Sequence, residues 1–427
     1  MKKRNEENIL NCFLSLKALF AVFFLVNACI GFSQKKTDQS ITTYRAKAVD
    51  LTIKKENGKV TVSGSSVFQI PNTFVWCGSP IKIKNKYYMF YSGWEAGENV
   101  PAMKDSWVLC SKIGVAESDS PYGGYKDLGF FLKGMKDNGN PALWDAQMTH
   151  NPLIKEFNGK YYLYYIGGKD PGEQPKGSPG ENLSKRDRVQ QKLEIGVVEF
   201  NSIEELLKGK FKRSKEPLLK PRTRVKSTNV IDPSPAGTIA KPDNIIVVNP
   251  AVEYRKSDGK YLLIFKGNIY DPSWRGVHGV AIGNSPTGPF TATDEFIFDI
   301  DLGNGNKVSA EDPYIWYHRK DKKFYAVMKD FTGKLTGGTP ALAMMESQDG
   351  LHWVPSRQSL FMKKELILKD GGIVKVDRLE RPQLLLDKND DPIALYAACS
   401  IDNPNNKKDG GTFNIQIPLE VIRNKNE

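Results

Sequence analysis

Cysteine is scarce in this chain: there are five in 427 residues, and only Cys77, Cys110 and Cys399 lie beyond the N-terminal leader. An odd number that small cannot form a disulfide framework, so stability must come mostly from a packed core. The four histidines, His150, His278, His318 and His352, are scattered. No Cys/His cluster has zinc spacing, which argues against a protein-built zinc site. There is no phosphate loop, dinucleotide fingerprint or serine-nucleophile elbow. Helical periodicity is almost missing. The apolar run from Ala18 to Val26 is too short to span a bilayer. Basic residues are in excess, with a formal charge of +12. They are spread out with Leu and Glu between them, as in 208–215 and 363–369, so the continuous basic stripe and module of a nucleic-acid binder are absent. An anionic polysaccharide fits this charge as a partner, and a merely solvated basic surface fits it equally.

What is present begins with the leader. Lys2, Lys3 and Arg4 precede the apolar run, and small residues follow, which is the order of a secretory signal. Two processing sites compete. Val26-Asn-Ala-Cys29 resembles a lipobox that would lipidate Cys29, and Gly31-Phe-Ser33 resembles an ordinary signal-peptidase site ending the leader at residue 33. Either places the mature protein outside the cytoplasm, as a periplasmic protein, an outer-membrane lipoprotein or a secreted one.

Glycine and proline number 37 and 25, and aromatics are 11% of residues, a composition suited to short strands and tight turns. Five times a proline opens a short apolar run: Ser79-Pro80, Asn151-Pro152, Asn249-Pro250, Asp312-Pro313 and Arg381-Pro382. A second β-rich run follows each, at Lys86–Tyr91, Lys160–Tyr165, Lys260–Phe265, Lys323–Met328 and, more weakly, Pro392–Ala397. Repetition of strand pairs at this period predicts an all-β, five-bladed β-propeller. It assigns the blades to about 71–135, 140–222, 245–296, 308–358 and 378–420 within one domain, 71–427. Residues 34–70 precede them with an edge strand at Lys59–Ser63, and a strand from this segment would close the ring. Such openings converge at one end of the central channel, which makes their polar residues site candidates; read singly, Asx-Pro pairs are ordinary turn initiators. Residues 167–191, rich in Gly, Pro, Lys and Asp, are too long for a hairpin loop and form either a functional loop or a mobile one, depending on the face they occupy.

Trp76-Cys-Gly-Ser79, Met148-Thr-His-Asn-Pro152, Glu311-Asp-Pro313 with Met328-Lys-Asp330, Leu379-Glu-Arg-Pro-Gln383 and the Ser285-Pro-Thr-Gly-Pro-Phe290 turn resemble the five-bladed propeller glycosidases. The likeness is to the family 43-like and family 117-like groups, with cousins in families 32, 62, 68 and 130, and it covers roughly 70–400. It implies a glycoside hydrolase, exo-acting and inverting, on plant or algal polysaccharide fragments. Alternatives are a family 130-like phosphorylase and a non-catalytic surface glycan-binding propeller. Family 43 places its base at the blade-one opening, a modulating aspartate in blade three and its acid in blade four. Only the acid carries over, onto Glu311, because Ser79 and Asn249 stand at the other two openings and cannot act as bases.

Glycosidic cleavage needs two carboxyl groups across a pocket. The expectation is Glu311 as acid, its pKa raised by Asp312 and Asp330, with Asp145 as base and Asp312 or Glu380 as substitutes. The competing reading of Asp145 is a turn cap beside a packed Trp144. His150 is expected either to hydrogen-bond a sugar or donate a proton, or to be structural. Lys266 and Arg381 either neutralise Glu380 and Asp330 or grip an anionic substrate. Trp76, Trp94, Trp274 and Trp316 are candidate sugar platforms or core. Ser79, Asn151, Asn249, Lys329 and Gln383 complete the predicted substrate-binding set. No cofactor is expected. Such channels can hold a central structural ion, although no ligand spacing here points to one.

Overall fold

The computed structural model describes residues 41–57, 59–271, 273–303 and 307–424. The leader, with both processing sites, falls outside the described residues. The propeller lies in one compact unit, Thr42–Ile422. Five sheets make up its five blades. Blade one is built from Thr73–Ile83, Lys86–Glu95, Lys112–Ser118 and Lys126–Leu132. Blade two uses Met148–Phe157, Lys160–Gly168, Glu194–Phe200 and Lys212–Arg213, and blade three Val248–Arg255, Lys260–Ile269, Arg275–Gly283 and Phe290–Ala292. Blade four follows with Ala310–His318, Lys323–Asp330, Ala341–Ser347 and Val354–Met362.

Blade five takes Arg378–Leu386, Pro392–Ser400 and Phe413–Asn424, and is completed by Ile41–Ala46 from the other end of the sequence. Val67–Phe68 also pairs with Phe413–Asn424. Arg45 and Glu420 join across this closure at 2.5 Å. Lys59–Ser63, the predicted edge strand, instead pairs with Thr52–Glu56 in a separate hairpin.

The second strand of each blade is buried on both faces, which is why these runs read as continuous apolar segments. In blade three Leu262 and Ile264 pack into one interblade core while Leu263 and Phe265 pack into another, as period-two alternation requires. Opposite Phe265 stands Gly279, where a Cβ would come within 2.6 Å of the phenyl ring. Gly114 leaves the same room for Tyr91 in blade one.

Each first strand carries a β-bulge. Its first extra residue has left-handed backbone: Cys77, Asn151, Asn249, Asp312 and Arg381, with φ between 51° and 58°. Pro152, Pro250, Pro313 and Pro382 follow in four blades, and Gly78 in blade one. A proline suits this position because the bulge withdraws it from the hydrogen-bond ladder. The X-Pro pairs are therefore mid-strand bulges and not turn initiators. This corrects the blade-one alignment: Cys77, not Ser79, is the counterpart of Asn151, Asn249, Asp312 and Arg381. Gly78 replaces proline where the Asn414 amide would lie 2.2 Å from any Cβ.

Candidate active site

The bulges aim five side chains toward the axis and turn the five preceding residues toward one cavity. Those preceding residues are Trp76, His150, Val248, Glu311 and Glu380, and all five line a cavity of about 610 Å³. Asn151, Asn249 and Asp312 join them from the bulges themselves. The bulge residues are tied together: Asn151 accepts from the Cys77 thiol and donates to Asn249 at 2.7 Å, and the Arg381 backbone N–H donates to Asp312 at 3.2 Å. Left-handed backbone is tolerable for Asn and Asp and less so for Cys77 and Arg381, and such strain concentrates at functional sites.

Charge is passed between neighbouring blades. Lys266, on the second strand of blade three, pairs with Glu311 on the first strand of blade four. Lys329 repeats the step one blade on, 2.5 Å from Glu380 in blade five and 3.9 Å from Glu311. Arg378 adds a 2.8 Å contact to Glu380. Burial works to raise the Glu311 pKa, but Lys266 and Lys329 outweigh it and hold the group at about 2. The expectation that Asp330 would raise it fails because two ammonium groups stand closer. Asp312 shifts the other way, up to about 7, through burial and the neighbouring Glu311 charge. Of this adjacent pair it is therefore Asp312 that keeps its proton to the higher pH, while Glu311 is ionised.

Other predicted residues fall into place beside or behind this lining. His150 lines the cavity between Trp94 and Trp107, with Nδ1 2.8 Å from the Ser111 hydroxyl. Burial lowers its pKa to about 3, so it is neutral and hydrogen-bonds without serving as an acid. Asp145 is not part of the lining. It accepts from the Tyr165 hydroxyl at 2.7 Å and from Arg213 Nε at 2.8 Å, in a buried knot capped by Trp144 stacked on Tyr165. These fixed partners remove it from the base role. Ser79 links blades by donating to Gln383 at 3.2 Å and accepting from the Ile154 N–H at 3.0 Å, and neither Ser79 nor Gln383 lines the cavity. Arg381 is wholly buried and donates to the Pro250 carbonyl at 3.2 Å and the Asn151 carbonyl at 3.4 Å. It neither pairs with Glu380 nor reaches a substrate. Asp330 anchors the 331–336 loop by accepting from the Thr332 and Leu335 N–H groups, each at 2.9 Å.

Of the tryptophans, Trp76, Trp94 and Trp274 line the cavity. Trp274 is 48% exposed, whereas Trp316 is fully buried in the core. Sequence reasoning flagged the 167–191 insertion but named no residue of the wall that it and a blade-one insertion build. Helix α1 (Met103–Cys110), between the second and third strands of blade one, brings Lys104 and Trp107. Helix α2 (Lys185–Gln190), in the long blade-two insertion, brings Arg186 and Gln190, so that segment is on the site's face. Arg378, Tyr270 and Phe331 were also missed. A cation in a Gly/Pro/Lys-rich insertion was the available signal for Arg186.

No protein-family model matches the sequence, and no curated protein matches it. Solved structures do. Zg3597, a family 117 glycoside hydrolase of the marine bacterium Zobellia galactanivorans, aligns with a TM-score of 0.51 at 15% identity, over 89% of this chain and 90% of that one. BT0996, solved as a complex with RGII, aligns at 0.52 and 12% identity, over 87% of this protein and 92% of that one. A thermostable family-43 glycoside hydrolase gives 0.48 at 13% identity, over 83% and 91%. At these identities the likeness is one of fold: the chain is a five-bladed propeller structurally similar to solved glycoside hydrolases, among them one of family 117.

Proposed function

We propose that the protein is an extracytoplasmic glycoside hydrolase acting on the ends of plant or algal oligosaccharides. The observation that carries this reading is the split pair at the cavity floor, an ionised Glu311 beside a protonated Asp312, under aromatic walls in a space large enough for a small saccharide. In this reading Asp312, its pKa raised by the Glu311 charge, donates to the leaving oxygen, and Glu380 on the next blade accepts the proton of the attacking water, an inverting reaction. Lys329 and Arg378 hold Glu380 in place, and Trp274 offers a face for a sugar ring. The cavity is closed at its floor by residues from all five blades, which favours a chain end over the middle of a chain. That BT0996 was solved with a saccharide supports carbohydrate as the ligand class.

The test is a panel of cell-wall oligosaccharides assayed for new reducing ends, with Glu380→Gln and Asp312→Asn alongside the wild type. Each variant should lose roughly 10²–10⁴ in turnover. Product anomers read by NMR check inversion. Turnover that requires added phosphate would make it a phosphorylase. Binding without any product would make it a glycan-binding propeller.

A further inference from the structure

Charge around the cavity floor is matched except on the propeller axis. Lys266 faces Glu311, Lys329 faces Glu380, and Arg378 is shared between Glu380 and Asp377. Arg381 has no such partner. Its side chain is fully buried, yet no carboxylate among the described residues lies within ion-pair distance of its guanidinium. Nη2 donates to the carbonyls of Pro250 and Asn151, while the buried Nε and Nη1 have no hydrogen-bond acceptor. The polar side chains nearby leave the charge uncancelled. Cys77 stands against the guanidinium, but burial raises its pKa and keeps it a neutral thiol, which is a weak acceptor. Burial likewise keeps His150 neutral. Asp312 accepts from the Arg381 backbone N–H and not from its side chain, and carries no charge while it holds its proton. A buried, unpaired cation with free donors is costly, and the left-handed backbone of Arg381 adds strain to hold it there.

We infer that the axial channel beside Arg381 binds a small inorganic anion of chloride size, held by the free guanidinium N–H groups. Arg381 does not line the cavity, so an acidic group on a saccharide cannot reach it, whereas a monatomic anion needs little room and accepts from any direction. The site stands independently of the hydrolase reading but bears on it. Charges on Glu311, Glu380, Lys329 and Arg381 act on Asp312 from blades four and five; the two glutamates favour its protonated form, and Lys329 and Arg381 oppose it. An anion that cancels Arg381 therefore keeps the proton on Asp312 to higher pH.

Thermal melts of the full-length protein in sodium gluconate, with sodium chloride or sodium bromide exchanged in at constant ionic strength, read binding without any substrate. The melting temperature should rise by about 2–4 °C as chloride reaches roughly 100 times its Kd, and then level off. Crystals grown in bromide should show an anomalous peak against Nε or Nη1 of Arg381. Arg381→Met should abolish the rise, and Arg381→Lys, which keeps the charge without the fork, should weaken it. If neither variant folds, the wild-type melts and bromide map decide alone. Melting that ignores halide, a map with only water at Arg381, or a peak without any melting response would overturn the inference. Halide binding without turnover of any saccharide would retain the anion site and remove the hydrolase reading, and turnover without halide binding would do the reverse.

Discussion

Lys329 reaches across a blade boundary to Glu380, 2.5 Å away, while staying within 3.9 Å of Glu311. One ammonium thus serves two cavity carboxylates on adjacent blades. Lys329→Met should cost about 3–5 kcal/mol, as loss of one partner of a buried pair does, measured by denaturant unfolding near neutral pH. It should also move the acid limb. The depressed Glu311 pKa contributes stability that is present above its ordinary value of 4.5 and lost as pH falls toward about 2. Without Lys329 the contribution should be smaller and its loss complete at a higher pH.

Asp312 has the opposite sign. Its pKa is raised from 3.8 to about 7, so its contribution is full below 3.8 and lost as pH rises through about 7. Asp312→Asn keeps a side chain that tolerates left-handed backbone and still accepts from the Arg381 N–H. The variant should unfold at higher temperature than wild type above neutral pH, and its residual activity should lack the basic limb near 7. A pH–rate profile and melting curves at several pH values check both.

Asp145→Asn should fold less stably by about 3–5 kcal/mol, because Arg213 is left without its carboxylate beside a buried tyrosine hydroxyl. The folded fraction should turn over normally, since nothing in that knot lines the cavity. A large drop in kcat at full folding would return Asp145 to the mechanism.

Trp274→Ala removes an exposed ring and little packing. Substrate affinity should fall about tenfold through lost stacking, with the melting temperature nearly unchanged. Steady-state kinetics and a thermal melt are sufficient.

The five-fold repeat was legible because a proline inside a strand leaves a mark wherever a bulge recurs. Blade one escaped because Gly78 takes the proline's place, for a reason lodged more than three hundred positions away at Asn414, and the nearby Ser79-Pro80 supplied a false match. Glu311, Asp312 and Glu380 were found because they sit at bulges. The direction of the Glu311 shift was not legible, because Lys266 and Lys329 lie on second strands, and only the register brings each beside a glutamate of the next blade. Asp145 looked like a site residue because its neighbours in sequence, Trp144 and His150, are aromatic and polar. Its partner Arg213 is on a different strand of the same blade. Lys104 and Arg186 belong to insertions outside the repeat, so no periodicity pointed to them.

Blade five carries Glu380, yet its outer edge is supplied by Ile41–Ala46, paired with Phe413–Asn424. The cavity is therefore an emergent property of circular closure, and no contiguous stretch of blades contains it. A chain interrupted before residue 413, or clipped after residue 46, would keep well-formed sheets but lack a latched ring. Acquisition of the cavity then depends on latching the ring and not on forming the sheets, so partial synthesis or proteolytic nicking at this seam should silence the protein without unravelling most of its strands.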